Sequence, residues 1–196
     1  EIPTMDPALS AEAVSSRVMT NTMEGLYSLG KDDKLVPGVA KEFQKSEDGK
    51  KYTFKLRKDA KWSNGEPVTA KDFVFAWKRA VDKNTAAEYA YIMFDLKNAQ
   101  AINEGKAELD TLGVKAVDDY TLEVELENPV PYFVELTSFG TFYPLNEKFV
   151  KENKHLPDVP SAANMKKDGI DLVKMNMALL EKVEQLTLYA IEQEKR

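Results

Sequence analysis

The stretch Tyr52–Val81, YTFKLRKDAKWSNGEPVTAKDFVFAWKRAV, decides how this chain folds. Tyr52, Phe54 and Leu56 alternate with Thr53, Lys55 and Arg57, which puts the apolar side chains on one face of a half-buried strand. Asn64-Gly65 supplies the reversal that must follow, because both residues tolerate the positive φ of a sharp turn. Pro67 then fixes the approach to Thr69, whose hydroxyl suits a helix N-cap, with Asp72 three residues on to complete a capping box. Phe73, Val74, Trp77 and Val81 form the core-facing stripe of the helix that starts there. The stretch is therefore one strand–turn–helix unit.

Working outward, the 196 residues have room for one large or two small domains, and 43% hydrophobic residues allow a packed core. A net charge of −6, with no basic cluster, argues against a nucleic-acid surface. Cysteine is absent, so disulfides, thiolate metal sites and a cysteine nucleophile are excluded. The single histidine, His155, cannot build a His-based metal cluster or a triad alone. No run approaches the ~20 apolar residues of a membrane span, and the opening EIPTMDPALS does not read as a signal peptide.

Upstream of the unit, the spacing of Val14, Val18 and Leu26 predicts a helix from Ala11 to Leu29, with Ser10 as its cap and Gly30 as its stop. A charged turn, Lys31 to Pro37, leads to a short element and a hairpin that reverses at Asp48-Gly49 into the strand. Downstream, Ile92, Leu96, Ala99 and Ile102 predict a second helix from Thr85 or Ala86 to about Asn103, closed by Gly105. Tyr120, Leu122, Val124 and Leu126 then alternate with Thr121, Glu123, Glu125 and Glu127, which predicts a strand with one buried and one wet face over Tyr120 to Glu127. Pro129 and Pro131 end it, and the aromatic run PYFVELTSFGTFYPL follows. Strands alternating with helices predict a mixed α/β layer fold of the α+β kind.

The segment LRKDAKWSNGEPVTAKDFVFAWKRAVD resembles the signature region of the oligopeptide-binding proteins that serve ABC importers, the extracytoplasmic solute-binding family for peptides and nickel. The resemblance extends upstream through DPALSAEAVSSRVMTNTMEGLYSLGKDDKLVPGVAKEF and downstream through NTAAEYAYI, INEGKAELDTLGVKAVDDYTLEVELENPVPYF and PLNEKFV, about three-quarters of the chain. It implies the small domain of a periplasmic-binding-protein-like fold, an oligopeptide ligand, an ABC permease as partner, no cofactor, and an extracytoplasmic location, often with a lipid anchor. On this reading residues 1–40 are an N-terminal segment of the large lobe and 41–148 the small domain. A second lobe, expected in that family, has no counterpart in the sequence.

The last quarter changes character. A spacer, HLPDVPSA, leads to a Leu-, Met-, Glu- and Lys-rich stretch in which Leu172, Asn176, Leu179, Val183, Leu186 and Ala190 follow alternating spacings of four and three. That is a heptad seam with one polar position, open either to a coiled coil or to an amphipathic helix docked on its own domain. The segment 149–196 resembles the C-terminal end of tail-fibre-like surface proteins with an intramolecular-chaperone region, which implies homo-oligomer formation through the helix. The Ser–Lys chemistry of such proteins has no matching region here, so self-cleavage is not predicted. Two resemblances meeting within NEKFVKEN predict a chimera, whether natural, engineered or an assembly artefact.

In the resembled peptide-binding family the ligand lies extended and pairs with the protein as an added strand, so main-chain hydrogen bonds hold it regardless of sequence. Carried over by position, the backbone around Ala13 would face the peptide and Tyr89 in NTAAEYAYI would line the cleft. The alternatives are a helical Ala13 without a ligand and a partly buried core Tyr89. Adjacent carboxylates such as Asp32-Asp33 and Asp118-Asp119 splay apart near turns, no glycine loop has a phosphate-cradling context, and no calcium-loop spacing occurs, so an enzyme is not predicted. Trp62 and Trp77 read as core, with Trp62 alternatively at a lobe edge where its indole N–H would need a partner.

Overall fold

A computed structural model describes residues 4–153. In chain order they form α1 (Ala13–Thr22), β1 (Tyr27–Leu29), β2 (Leu35–Pro37), β3 (Ala40–Lys45), β4 (Lys51–Leu56), α2 (Ala70–Val81), α3 (Ala99–Asn103), β5 (Val114–Asp118), β6 (Thr121–Glu125), α4 (Phe133–Leu136) and α5 (Glu147–Asn153). Residues up to Glu147 belong to one compact unit, and a second unit starts at Lys148. The tail positions of the heptad seam and His155 lie outside the described residues.

The strand–turn–helix unit folds as its sequence predicts. In β4, Tyr52, Phe54 and Leu56 are buried. Gly65 takes φ +86° in the reversal, and its N–H donates to the Trp62 carbonyl at 2.8 Å. At the start of α2 the Thr69 amide donates to the Asp72 carboxylate at 2.7 Å, and the Thr69 hydroxyl donates to the same oxygen at 3.0 Å. Phe73, Trp77 and Val81 are buried beneath α2, while Val74 is half-buried.

The main sheet is antiparallel, in the order β3-β4-β6-β5. The hairpin joining β3 to β4 turns with Gly49 at φ +70°, and register follows from pairs such as Phe43↔Phe54 and Phe54↔Leu122. Leu122, Val124 and Leu126 are buried with Phe54, so α2 and the sheet enclose one apolar layer. The strand expected to run from Tyr120 to Glu127 is shorter, Thr121–Glu125, because Leu126 leaves the ladder for an isolated bridge with Leu96. Thr121, expected on the wet face, is buried and accepts a bond from the Lys55 ammonium at 2.9 Å.

Two expected helices are corrected. The predicted helix Ala11–Leu29 is α1, Ala13–Thr22, followed by β1, because Tyr27–Leu29 pairs with Leu35–Pro37. Ser15 and Met19 face inward and Val14 is exposed. Gly30 does not end a helix: its N–H donates to the Lys34 carbonyl at 2.8 Å in the β1–β2 turn, whose left-handed residues are Asp32 and Asp33. The predicted helix from Thr85 to Asn103 is broken. Ala86 at φ +54° and Asn98 at φ +62° interrupt it, leaving a 3₁₀ turn at Ala90–Met93 and the short α3. Gly105, at φ +72°, follows α3 as expected.

Candidate functional site

Tyr89 stands just before the 3₁₀ turn Ala90–Met93, and its carbonyl accepts the Ile92 amide at 3.1 Å. Ala90 and Met93 are buried and anchor that turn in the core, which leaves Tyr89 half-buried and Tyr91 59% exposed. A left-handed Ala86 makes the approach to the turn possible, a conformation that costs an L-residue roughly 1 kcal/mol. The chain thus spends backbone strain to hold two tyrosines at the surface.

A second segment completes the cluster. Phe139 precedes the 3₁₀ turn Gly140–Phe142, where Phe142 is buried and its carbonyl accepts the Trp77 indole N–H at 2.8 Å. Its ring centroid lies 6.0 Å from that of Tyr89 at an interplanar angle of 74°, and Tyr91 meets Tyr89 with the same distance and angle. Phe139 is 42% exposed. Sequence reading singled out Tyr89 alone; its partner Phe139 lies in the aromatic run after β6, and only folding brings the two together.

Ala13 is the first residue of α1 and is exposed. The residue before it, Glu12, is extended at φ −100° and ψ 136°, and no side chain caps the helix. The first-turn amides therefore lack a side-chain acceptor, as helix N-termini do unless something supplies one. Ala13 itself is helical, the alternative weighed for it, and only the residue before it is extended. Nearby, the Ser10 and Ser15 hydroxyls are buried without a hydrogen-bond partner.

The helix that begins with Ala13 and the ring of Tyr89 both contact one short segment. Met19, on the inner face of α1, lies against Gly140, where a Cβ would sit 3.6 Å from its Cε. Tyr89 meets Phe139, the residue before that glycine, in a T-shaped contact. The apolar side of α1 is thus covered by the same short segment that carries the ring cluster. A separate depression of about 240 Å³, lined by Phe94, Asn98, Gln100, Ala101, Glu104 and Glu127, includes none of these residues.

Residues 85–96 carry Glu88 and Asp95 and no basic residue, and residues 128–146 carry Glu135 and no basic residue. Tyr143, at the end of the second segment, has its phenol pushed up by burial, so it stays neutral. Among the described residues no group of three or more His, Asp or Glu is placed to hold a metal ion. Trp62 is half-buried at the Asn64-Gly65 turn, and its buried indole N–H faces the Asp72 carboxylate closely enough to pull on its titration without closing a well-formed hydrogen bond.

Comparison with known proteins gives this geometry a context. Residues 34–172 match the model of the bacterial extracellular solute-binding proteins, family 5. The oligopeptide-binding protein OppA of Bacillus subtilis is 49% identical over 150 residues, which are 76% of this chain and 28% of that protein. A crystal structure of an oligopeptide ABC transporter substrate-binding domain from Bacillus anthracis superimposes with a TM-score of 0.76 at 64% identity, covering 78% of this chain and 29% of that one. Listeria monocytogenes OppA bound to peptide gives the same TM-score at 51% identity, covering 78% and 30%. The chain therefore spans less than a third of the length of these relatives. The family match runs on to residue 172, across the HLPDVPSA spacer, and the tail-fibre-like resemblance finds no support in these matches.

Proposed function

Since the chain belongs to the bacterial extracellular solute-binding proteins of family 5, we propose that it forms one wall of an oligopeptide cleft, built by the Ala13 backbone and the Tyr89 ring. The family is one of extracytoplasmic solute-binding transport proteins rather than enzymes, and MppA of Escherichia coli, 42% identical over 156 residues, is a periplasmic murein peptide-binding protein. On this reading the ligand is an extended oligopeptide and the downstream partner is the permease of an ABC importer. The small domain would comprise residues 41–148, with 1–40 contributed to the large lobe.

The observation that carries the reading is the convergence of α1 and Tyr89 on the segment Phe139–Phe142. Met19 of α1 and the Tyr89 ring both meet that segment, so the helix that begins with Ala13 and the exposed aromatics are held by one support, and a peptide pairing with the first-turn backbone would be served by both. One wall shields only one side of a peptide, and backbone pairing left open to water contributes little net energy per bond. The 196-residue chain should therefore bind peptide weakly. Titration of a mixed-sequence pentapeptide, followed by backbone amide NMR, should shift the amides of Ala13–Ser15 and Tyr89–Tyr91 together. Shifts confined to another face would overturn the assignment, and tight binding by this chain would overturn the one-wall account.

A second reading rests on the heptad spacing from Leu172 to Ala190, which favours self-association through the tail with the α/β part as passenger. Light scattering on the full chain and on residues 1–148 separates the two. An oligomer that becomes monomeric on truncation supports the assembly helix; two monomers leave it without support.

A further inference from the structure

The first compact unit ends at Glu147, and its last three residues are each tied back to one short stretch, residues 66–72. The Leu145 amide donates to the Asp72 carbonyl at 3.3 Å, and the Glu147 amide donates to the Asp72 carboxylate. Between them the Asn146 side-chain amide donates to the Glu66 carboxylate at 3.0 Å. The Asp72 carboxylate also accepts the Thr69 amide and hydroxyl at the start of α2, and it is buried. One group therefore serves two elements, the cap of α2 and the segment by which the chain leaves the unit. If it moves away from either, buried donors on both sides lose their acceptor, so the two sets of bonds form and break together. None of these bonds belongs to the sheet ladders, and Leu145 is only half-buried. The Ala70 amide keeps a separate tie to the Asp119 carbonyl at 2.8 Å, so the rest of α2 can stay in place when the cap opens.

We propose that Asp72 is a clasp that opens as one unit, releasing residues 145–147 and the Thr69 cap together while the sheet stays formed. The exit of the chain from this unit is then a conformational device with its own equilibrium, distinct from global unfolding. It stands apart from the peptide reading, since no ligand enters it.

Native-state hydrogen exchange on the full chain tests the clasp. The Thr69, Leu145 and Glu147 amides should share one protection factor, lower than those of β4 and β6 and nearly independent of added urea. Asp72→Ala, which strands all of these donors, should speed the three amides together by about tenfold, and Glu66→Ala together by about threefold. The Gly49 amide, which donates to the Ser46 carbonyl in the β3–β4 turn, should keep its rate in both variants. Three unrelated protection factors in the unaltered chain overturn the clasp, and so does exchange of all three only at the rate of the sheet. A response to Asp72→Ala by Thr69 alone, or by Leu145 and Glu147 alone, also overturns it, because the carboxylate would then serve one element and not both. Should Asp72→Ala fail to fold, Glu66→Ala decides: it must speed Thr69 as well as the exit segment, and acceleration of the exit segment alone rejects the proposal.

Discussion

The guanidinium of Arg79, on α2, grips the carboxylate of Asp6 through two parallel contacts of 2.7 Å. Asp6 is also the organiser of its own turn: its carbonyl accepts the amides of Leu9 and Ser10, and its carboxylate accepts that of Ala8 at 3.0 Å. One residue thus shapes the turn before α1 and fastens it to α2, 73 positions along the chain. Ala13 opens α1 three residues after that turn ends at Ser10.

Breaking the fork should loosen the N-terminal segment selectively. Both side chains are 24% exposed, so the pair is partly screened, but a bidentate charge-assisted contact outweighs an ordinary surface pair. Asp6→Asn should cost about 1–2 kcal/mol, and Arg79→Lys about as much, since an ammonium cannot reproduce the planar fork. Urea midpoints measure the cost, and a double-mutant cycle should return a coupling near 1 kcal/mol. Protease sites between Ala8 and Glu12 should become accessible first.

Asp72 makes a pH-dependent prediction of the opposite kind. Burial pushes its carboxyl above the ordinary 3.8, against the pull of the Thr69 amide and hydroxyl that donate to it. A raised carboxyl pKa in the folded state means that folding favours the protonated form. Its favourable contribution is complete below 3.8 and is lost as pH rises through the folded value. Asp72→Asn keeps an oxygen for the Thr69 amide and removes the titration. As pH rises from the low carboxylate range, the stability of the Asn variant relative to the unaltered chain should therefore improve. Denaturant melts of both proteins across that range check it; a gap that moves the other way would show that the capping bonds outweigh burial.

Both residues lie where local chemistry speaks plainly, and this explains which parts of the fold were legible. The β4–α2 unit could be read because alternation, an Asn-Gly turn and a Thr–Asp capping box all act within a few residues. The end of α1 could not, because β1 exists only through its pairing with β2, Tyr27↔Pro37 among others, and nothing in Tyr27-Ser28-Leu29 announces that partner. Ala86 and Asn98 break a helix-like pattern without a glycine or proline to mark the break. Resemblance, not spacing, singled out Tyr89. Phe139 escaped notice because the ring contact joins residues fifty apart in a run of aromatics of which Phe133 and Phe142 are core.

Two glycines separate steric from conformational demands. A Cβ on Gly25 would sit 2.4 Å from the Thr137 carbonyl oxygen, a backbone atom that cannot swing aside. A Cβ on Gly65 would meet nothing within 4 Å, but its φ of +86° disfavours any L-residue. Gly25→Ala should therefore cost about 2–4 kcal/mol, since the crossing of the N-terminal segment over α4 must open. Gly65→Ala should cost only about 1 kcal/mol, paid in backbone strain. Thermal unfolding should rank them in that order, and Gly25→Ala alone should perturb amide shifts around Phe139.

The indole of Trp77 joins the core to the candidate site. It is fully buried, packs edge-to-face on Phe142 with ring centroids 5.1 Å apart, and donates its N–H to the Phe142 carbonyl at 2.8 Å. Trp77→Phe keeps an aromatic ring in the layer but removes that donor and leaves a cavity on the indole side. The stranded carbonyl and the lost volume together should cost about 2–4 kcal/mol. Because Phe142 ends the turn that presents Phe139, the loss should also appear at the surface. Hydrogen exchange at Phe142 and Tyr143 should speed up more than exchange in β4, whose ladder Trp77 does not hold. Uniform acceleration across the sheet would instead mean that the indole stabilises the whole layer and has no particular hold on the ring-bearing turn.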